Sequence, residues 1–285
     1  MFKNLCERRQ TTVIEFRFLD GNIVNTDDFK LKVKDFFVEP LTNRNQFEQI
    51  DMLAGNIPMG STHESRRIEM SGRLYLNEAS EFGLYRDWIQ RTFSRLEPYY
   101  ITDAKQPYKR WYVLPEGTPT YEHVNYGKIV LVTLTWVTYG LPYAQSIATT
   151  STIYEWGQGY FWGSGIEWGE NQYSFSNTNR FIINNFGDVK IDPREHKEFR
   201  IIYKGASDGL RITNLRNQNV FLFNGVSGVD DEIVLERVFT TKNGLNVVRD
   251  TNHRVITLET GSNEFILAGT SSPFEITFDF RPLFY

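Results

Sequence analysis

Between residues 66 and 139 the chain carries one amphipathic helix set among alternating strands, and this constrains the fold more than any other feature. Phe82, Tyr85, Ile89, Phe93 and Leu96 recur at three- and four-residue steps, which places them on one stripe of a helix. The pattern predicts a helix over 78–96. Asn77 is placed to cap its free N–H groups, with Glu78 and Glu81 at the positive end of the dipole and Arg91 and Arg95 at the other. Pro98 ends it. Extended segments follow at Tyr99-Tyr100-Ile101 and Trp111-Tyr112-Val113. Val130, Val132, Leu134 and Trp136 then share one face of a strand over 129–139. A lone helix among strands must lay its stripe on a sheet, because nothing else can cover it.

The flanks read as strands too. Val13, Phe16 and Phe18 form one, closed by a turn at Asp20-Gly21-Asn22. Residues 29–34 alternate strictly, with Lys32 on the wet face, and so do residues 66–76, which open on Arg66 and Arg67. Both alternating strands are expected at sheet edges, where an unpaired backbone can template another chain. Residues 35–45 read as a loop around Pro40, with a further break at Gly55, Pro58 and Gly60.

After Tyr139 the pattern changes at Gly140-Leu141-Pro142. A Trp/Gly-rich segment follows, with Trp156, Trp162 and Trp168 spaced six apart. Six residues is too short a period for a helical repeat and three copies too few for a solenoid, so the segment reads as a linker whose Trp side chains pack between domains or against a neighbouring subunit. From Tyr173 eight short strands are expected, at 180–184, 198–203, 210–214, 220–223, 232–238, 254–258, 264–267 and 274–280. Turn signals such as Lys204-Gly205, Asn224-Gly225 and Asn243-Gly244 separate them. Phe274, Ile276, Phe278 and Phe280 face inward on the last. The expected fold is mainly β: a β-sandwich-like domain with one helix over 1–142, a linker over 143–172 and a β-sandwich or jelly roll over 173–285.

Composition removes several functions. The chain has 285 residues, enough to bury about three quarters of its unfolded surface without staples. The single cysteine, Cys6, excludes an internal disulfide framework or a multi-cysteine metal site. No stretch reaches the roughly 18 apolar residues of a membrane span, and residues 1–17 are too charged for a secretory signal, so a soluble protein is expected. Of 31 basic and 35 acidic residues, 18 of each lie before residue 147, leaving 13 and 17 after it. Net charge is therefore zero, then −4, without the basic excess of a nucleic-acid binder. The 15% aromatic content suits a β core and half-buried assembly surfaces.

Signals for chemistry are weak. His63, His123, His196 and His253 show no ligand spacing, and no phosphate loop or nucleophile elbow is present. Asp230-Asp231-Glu232 has calcium-ligand residue types, but a charged turn entering a strand is commoner. Asp250-Thr251-Asn252 is read in the same way, as a turn held by side-chain to backbone bonds. No catalytic residue, metal or cofactor is expected. A glycosidase needs only two carboxylates, so that class stays open.

The order of features resembles one family. Arg66-Arg67-Ile68-Glu69 precedes the helix, and Pro98-Tyr99-Tyr100-Ile101-Thr102-Asp103, Lys109-Arg110-Trp111-Tyr112-Val113 and Thr138-Tyr139-Gly140 follow it. In the second part come Phe186-Gly187-Asp188 with Ile191-Asp192-Pro193, Asn214, residues 221–225, Asp250-Thr251-Asn252, Gly261-Ser262-Asn263 and Phe278-Asp279-Phe280-Arg281-Pro282. This resembles the distal tail proteins of long-tailed, non-contractile phages, along nearly the whole chain. The resemblance implies a ring-forming N-terminal domain with a belt-like extension, and a galectin-like C-terminal sandwich. It implies a homo-hexamer made in the host bacterial cytoplasm and located at the virion tail tip. There it would join the tail tube protein to the tail-tip and receptor-binding proteins while DNA passes through, with no membrane partner and no enzymatic role. Residues 114–128 and 35–60 are both candidates for the belt. Lys32, Arg66 and Arg67 are the interface candidates beside the three Trp residues. The alternative is a carbohydrate-binding β-sandwich module, since galectin-like folds host sugar binding.

Overall fold

The computed structural model describes residues 13–50, 55–152, 172–195 and 198–285. Cys6, His196, Trp156, Trp162, Trp168 and most of the expected linker lie outside the described residues. The protein is mainly β and divides into two compact units, Met1–Ala144 and Gln145–Tyr285. Among the described residues no helix is long and apolar enough to cross a membrane.

The first unit contains β1 (Ile14–Arg17), β2 (Ile23–Asn25), β3 (Leu31–Val38), β4 (Asn43–Glu48), β5 (Ile57–His63) and β6 (Arg67–Tyr75). Then come α1 (Phe82–Phe93), β7 (Tyr99–Asp103), β8 (Lys109–Pro115), β9 (Thr120–Val124) and β10 (Ile129–Thr138). An antiparallel sheet runs β2-β1-β7-β8-β10-β6-β3, and β9 pairs with β10 as a hairpin. The expected strand face is observed: Val130, Val132, Leu134 and Trp136 are buried along β10.

The helix is shorter than the stripe suggests. Asn77 does not cap it; its backbone and side-chain N–H groups instead donate to the Glu81 carboxylate at 3.1 and 3.2 Å. The first turn, Ala79–Glu81, is consequently 3-10, and α1 proper starts at Phe82. At the other end the Arg95 guanidinium sits 3.8 Å from the Phe18 ring centre and 3.1 Å from Asp20. That contact draws the chain out of the helix after Phe93, and Leu96 is left 97% exposed. The stripe that remains does what the lone helix requires. Phe93 meets Phe16, Phe29 and Trp136 with ring centres 4.6, 5.7 and 6.4 Å apart. Below it, the Trp136 indole N–H donates to the Tyr99 hydroxyl at 2.5 Å. Burial pushes that phenol's pKa well up.

A strand of three residues, β11 (Ala144–Ser146), crosses the division between the units. The second unit contains β12 (Ser174–Ser176), β13 (Arg180–Asn185), β14 (Phe199–Asn214), β15 (Asn219–Leu222), β16 (Val226–Ser227) and β17 (Glu232–Glu236). It continues with β18 (Phe239–Lys242), β19 (Leu245–Asn246), β20 (Gly261–Phe280) and β21 (Leu283–Phe284). Four of the eight expected short strands are pieces of two long ones. Residues 198–203 and 210–214 lie in β14, and 264–267 and 274–280 lie in β20. These two pair along their length with register shifts at Gly205/Ala206 and between Ser207 and Arg211. The turn signals inside them act as bends within a continuous ladder. At Gly269 (φ +76°) a Cβ would fall 2.4 Å from the Gly209 carbonyl oxygen, so only glycine allows the two strands to cross this closely.

The bends divide the sheet. The start of β14 pairs with β17 and the end of β20, whereas the end of β14 pairs with β15 and the start of β20. The halves face one another as a sandwich around Phe181, Phe265 and Phe278, whose ring centres lie 4.8–5.8 Å apart. Residues 254–258 do not form the expected strand; Leu258 makes one isolated bridge to Ile191. The segment after β11 is tied to this unit. The Thr150 backbone N–H donates to the Phe280 carbonyl, and its hydroxyl donates to the Phe278 carbonyl at 2.8 Å.

Candidate functional site

The first unit offers a strand edge and an uncovered ribbon. Strand β3 ends the sheet order, so among the described residues its outer backbone has no strand partner. Lys32 lies on it, exposed, with its ammonium 5.5 Å from the centre of the Tyr75 ring. Strand β6 corrects the edge expected at 66–76. It lies between β10 and β3 and is paired on both sides.

Arg66 and Arg67 have different roles despite being neighbours. Arg66 is buried. Its Nε donates to the Glu39 carbonyl at 2.6 Å and its guanidinium carbon lies 4.9 Å from the centre of the Trp111 ring. Its Nη1 is enclosed without a hydrogen-bond partner among the described residues. Burial lowers its pKa below the ordinary arginine value. Arg66 therefore braces the start of β6 against β8. Arg67 points to solvent and lies 3.8 Å from Glu116, a distance of little energetic weight at the surface.

The segment 35–60, expected as a loop, is mostly strand. Strand β3 continues to Val38, and β4 and β5 form a two-stranded ribbon exposed at every position. They pair from Asn43↔His63 to Glu48↔Ile57 with a shift at Gln46/Phe47. The ribbon is fixed at its base, where the Glu64 N–H donates to the Thr42 carbonyl at 3.0 Å. Phe47 and Met59 are about 60% exposed on it, and Ile50 and Ile57 are exposed as well. A two-stranded ribbon alone is marginal in water, and four exposed large apolar side chains are costly without a covering surface. Sequence reasoning missed its strand character because neither face alternates. The other belt candidate, 114–128, is built into the sheet through β9.

In the second unit the polar motifs are used by turns. The Asp231 carboxylate accepts from Gly228 N–H at 2.7 Å, Asn243 Nδ2 at 2.6 Å and the Lys242 ammonium at 2.9 Å. These contacts hold its pKa far below the usual carboxylate range, the lysine contributing most. Asn252 bridges Val220 and Leu222, and the Thr251 hydroxyl donates to the Val248 carbonyl. Asn214 and Asn263 are fully buried and hydrogen-bonded to each other at 3.1 Å. Among the described residues no group of three or more His, Cys, Asp or Glu side chains is placed to hold a metal ion.

Comparison with known proteins fits this architecture. Residues 24–137, which hold the helix, the ribbon and most of the sheet but not β1, match the family model described as phage tail protein RIFT-related domain. The Dit protein (gp 19.1) of phage SPP1, described as a paradigm of the hub adsorption apparatus in phages infecting Gram-positive bacteria, shares the fold. The TM-score is 0.65 at 11% identity, over 95% of this chain and 98% of that one. A chain of the phage p2 baseplate in its activated conformation aligns over 95% of this chain and 97% of its own, at 13% identity and a TM-score of 0.42. No curated protein sequence matches. The family match and the shared SPP1 Dit fold bear out the resemblance to siphophage distal tail proteins drawn from the sequence.

Proposed function

We propose that this chain, with a phage tail domain over 24–137 and the SPP1 Dit fold along its length, is a structural hub of a siphophage tail. Six copies of the first unit close a ring by head-to-tail contacts, since a heterologous contact either closes or runs on as a filament. The exposed β4–β5 ribbon is the belt of that ring. It lays Phe47 and Met59 on the next copy, and the free edge of β3 is available for main-chain pairing at the joint. The ring sits between the tail tube protein and the tail-tip and receptor-binding proteins, at the tip of the virion tail. DNA passes through without specific binding, which suits a first part of zero net charge. The role is adaptor rather than enzyme.

The family match over residues 24–137 carries this reading, because it covers the elements that present the ribbon and the edge. Native mass measurement across a range of concentrations tests it. Oligomers of six subunits that shift to monomer on Phe47→Asp with Met59→Asp, at unchanged melting temperature, support the ring. A hexamer insensitive to these changes would remove the ribbon from the joint.

A further inference from the structure

The second unit holds a cavity of about 510 Å³ whose chemistry no turn or core requirement explains. Its floor is apolar, with Ile201, Phe221, Leu235 and Ile256 buried beneath it. Its rim carries Lys190, Arg194, Arg237, His253 and Arg254, and no Asp or Glu lines it. That is a concentration of one sign in a protein whose net charge is −4. Two of these cations are neutralised from outside the cavity, Lys190 by Glu259 at 2.7 Å and Arg194 by Asp192 at 2.5 Å. Among the described residues, Arg237 and Arg254 have no carboxylate within ion-pair distance. Both are exposed, and Val238 and Phe239 on the same lip are more than half exposed.

These features select among ligands. A neutral sugar needs acceptors for its hydroxyl protons as well as donors to its oxygens. The cavity has no carboxylate, and its Asn219 Oδ1 already accepts from the Thr257 N–H and hydroxyl at 3.1 and 2.6 Å. A bare inorganic anion would use the arginines but leave the apolar floor and lip uncovered. A ligand carrying carboxylates next to an apolar side chain uses both. The volume lies in the range of ordinary ligand sites, enough for a few side chains of an extended segment. Each guanidinium group suits a carboxylate because its N–H donors match both oxygens.

We propose that this cavity docks an acidic peptide segment of a partner protein, with its carboxylates on Arg237 and Arg254 and an apolar side chain in the cavity beneath Phe239. The site is independent of the ring joint, so it stands or falls separately from the hub reading.

The test uses the full chain and a fluorescent peptide, acetyl-Asp-Glu-Phe-Asp-Glu-Leu-amide, followed by anisotropy. Saturable binding that weakens with salt, and about tenfold or more in the double variant Arg237→Gln/Arg254→Gln, is expected from the loss of charge-assisted bonds. A version with a photoreactive Phe should cross-link within residues 237–257 of the unmodified chain, which reads the site even if the double variant folds poorly. Equal affinity in a folded double variant, cross-links elsewhere, or no saturation at millimolar peptide would overturn the proposal. So would tighter competition by inorganic phosphate or by lactose than by unlabelled peptide.

Discussion

Phe265 and Phe278 belong to the same strand element and lie 278 − 265 = 13 positions apart, yet their ring centres are 4.8 Å from one another. A straight strand would separate them by about 43 Å. The strand must therefore fold back on itself, and its two halves supply both layers of one core. The bend near Gly269, where β20 crosses Gly209 of β14, makes this possible.

Phe278→Ala is expected to cost about 3–5 kcal/mol, through lost burial and the cavity left between the layers. Gly269→Ala should be at least as harmful despite adding one methyl group, because its Cβ meets backbone that cannot move aside. Denaturant unfolding of both variants checks this. A Gly269→Ala protein as stable as the parent would contradict the bent-strand account.

In the first unit the Trp136–Tyr99 hydrogen bond lies beneath Phe93. Tyr99→Phe leaves the indole N–H buried without an acceptor and should destabilise by about 1–3 kcal/mol. Thermal melting of the variant measures it. A change within error would mean that another acceptor reaches the indole.

How much of this was legible in the sequence depended on periodicity. Alternation located β10 and the end of β20 to within a residue, because one face of each is buried. It failed for β4 and β5, where neither face is covered within the subunit and no alternation arises. It split β14 and β20, because Gly205 and Gly209 look identical in sequence whether they end a strand or bend it. It extended the helix through Leu96, since Arg95 is drawn to Phe18 and Asp20 by a tertiary contact invisible in local pattern. Arg66 looked like an edge cation and is a buried brace. The cationic cavity was not legible at all, because topology alone brings Lys190, Arg237 and Arg254 together.

Several carboxylates of the second unit should make its stability depend on acid. The Lys242, Arg194 and Lys190 side chains hold the carboxyls of Asp231, Asp192 and Glu259 below the ordinary carboxylate range in the folded state. A depressed pKa contributes stability that is present above the unfolded value and lost as pH falls through the folded one. Melting temperature should therefore hold between pH 5 and 7 and decline below about pH 4. Asp231→Asn should flatten part of that decline. Calorimetry from pH 2 to 7 decides, and an unchanged pH slope in the variant would count against the Asp231 contacts.

The ties from Thr150 to Phe278 and Phe280 place the working start of the second unit at Gln145. We expect a fragment of residues 145–285 to melt higher than one of 173–285. Arg281 adds to the difference, since it donates to the carbonyls of Ser146 and Ile147 at 2.7 and 2.6 Å. Equal melting temperatures would assign those bonds no weight and favour the later start.

The central claim is the six-fold hub, and cryo-electron imaging of virion tails carrying a tagged copy of this chain tests it most directly. The account predicts six copies in a closed ring at the tail-tip end of the tube, each β4–β5 ribbon lying on the adjacent copy. Finding the protein at a position of symmetry other than six-fold or three-fold, or away from that end of the tail, would contradict it.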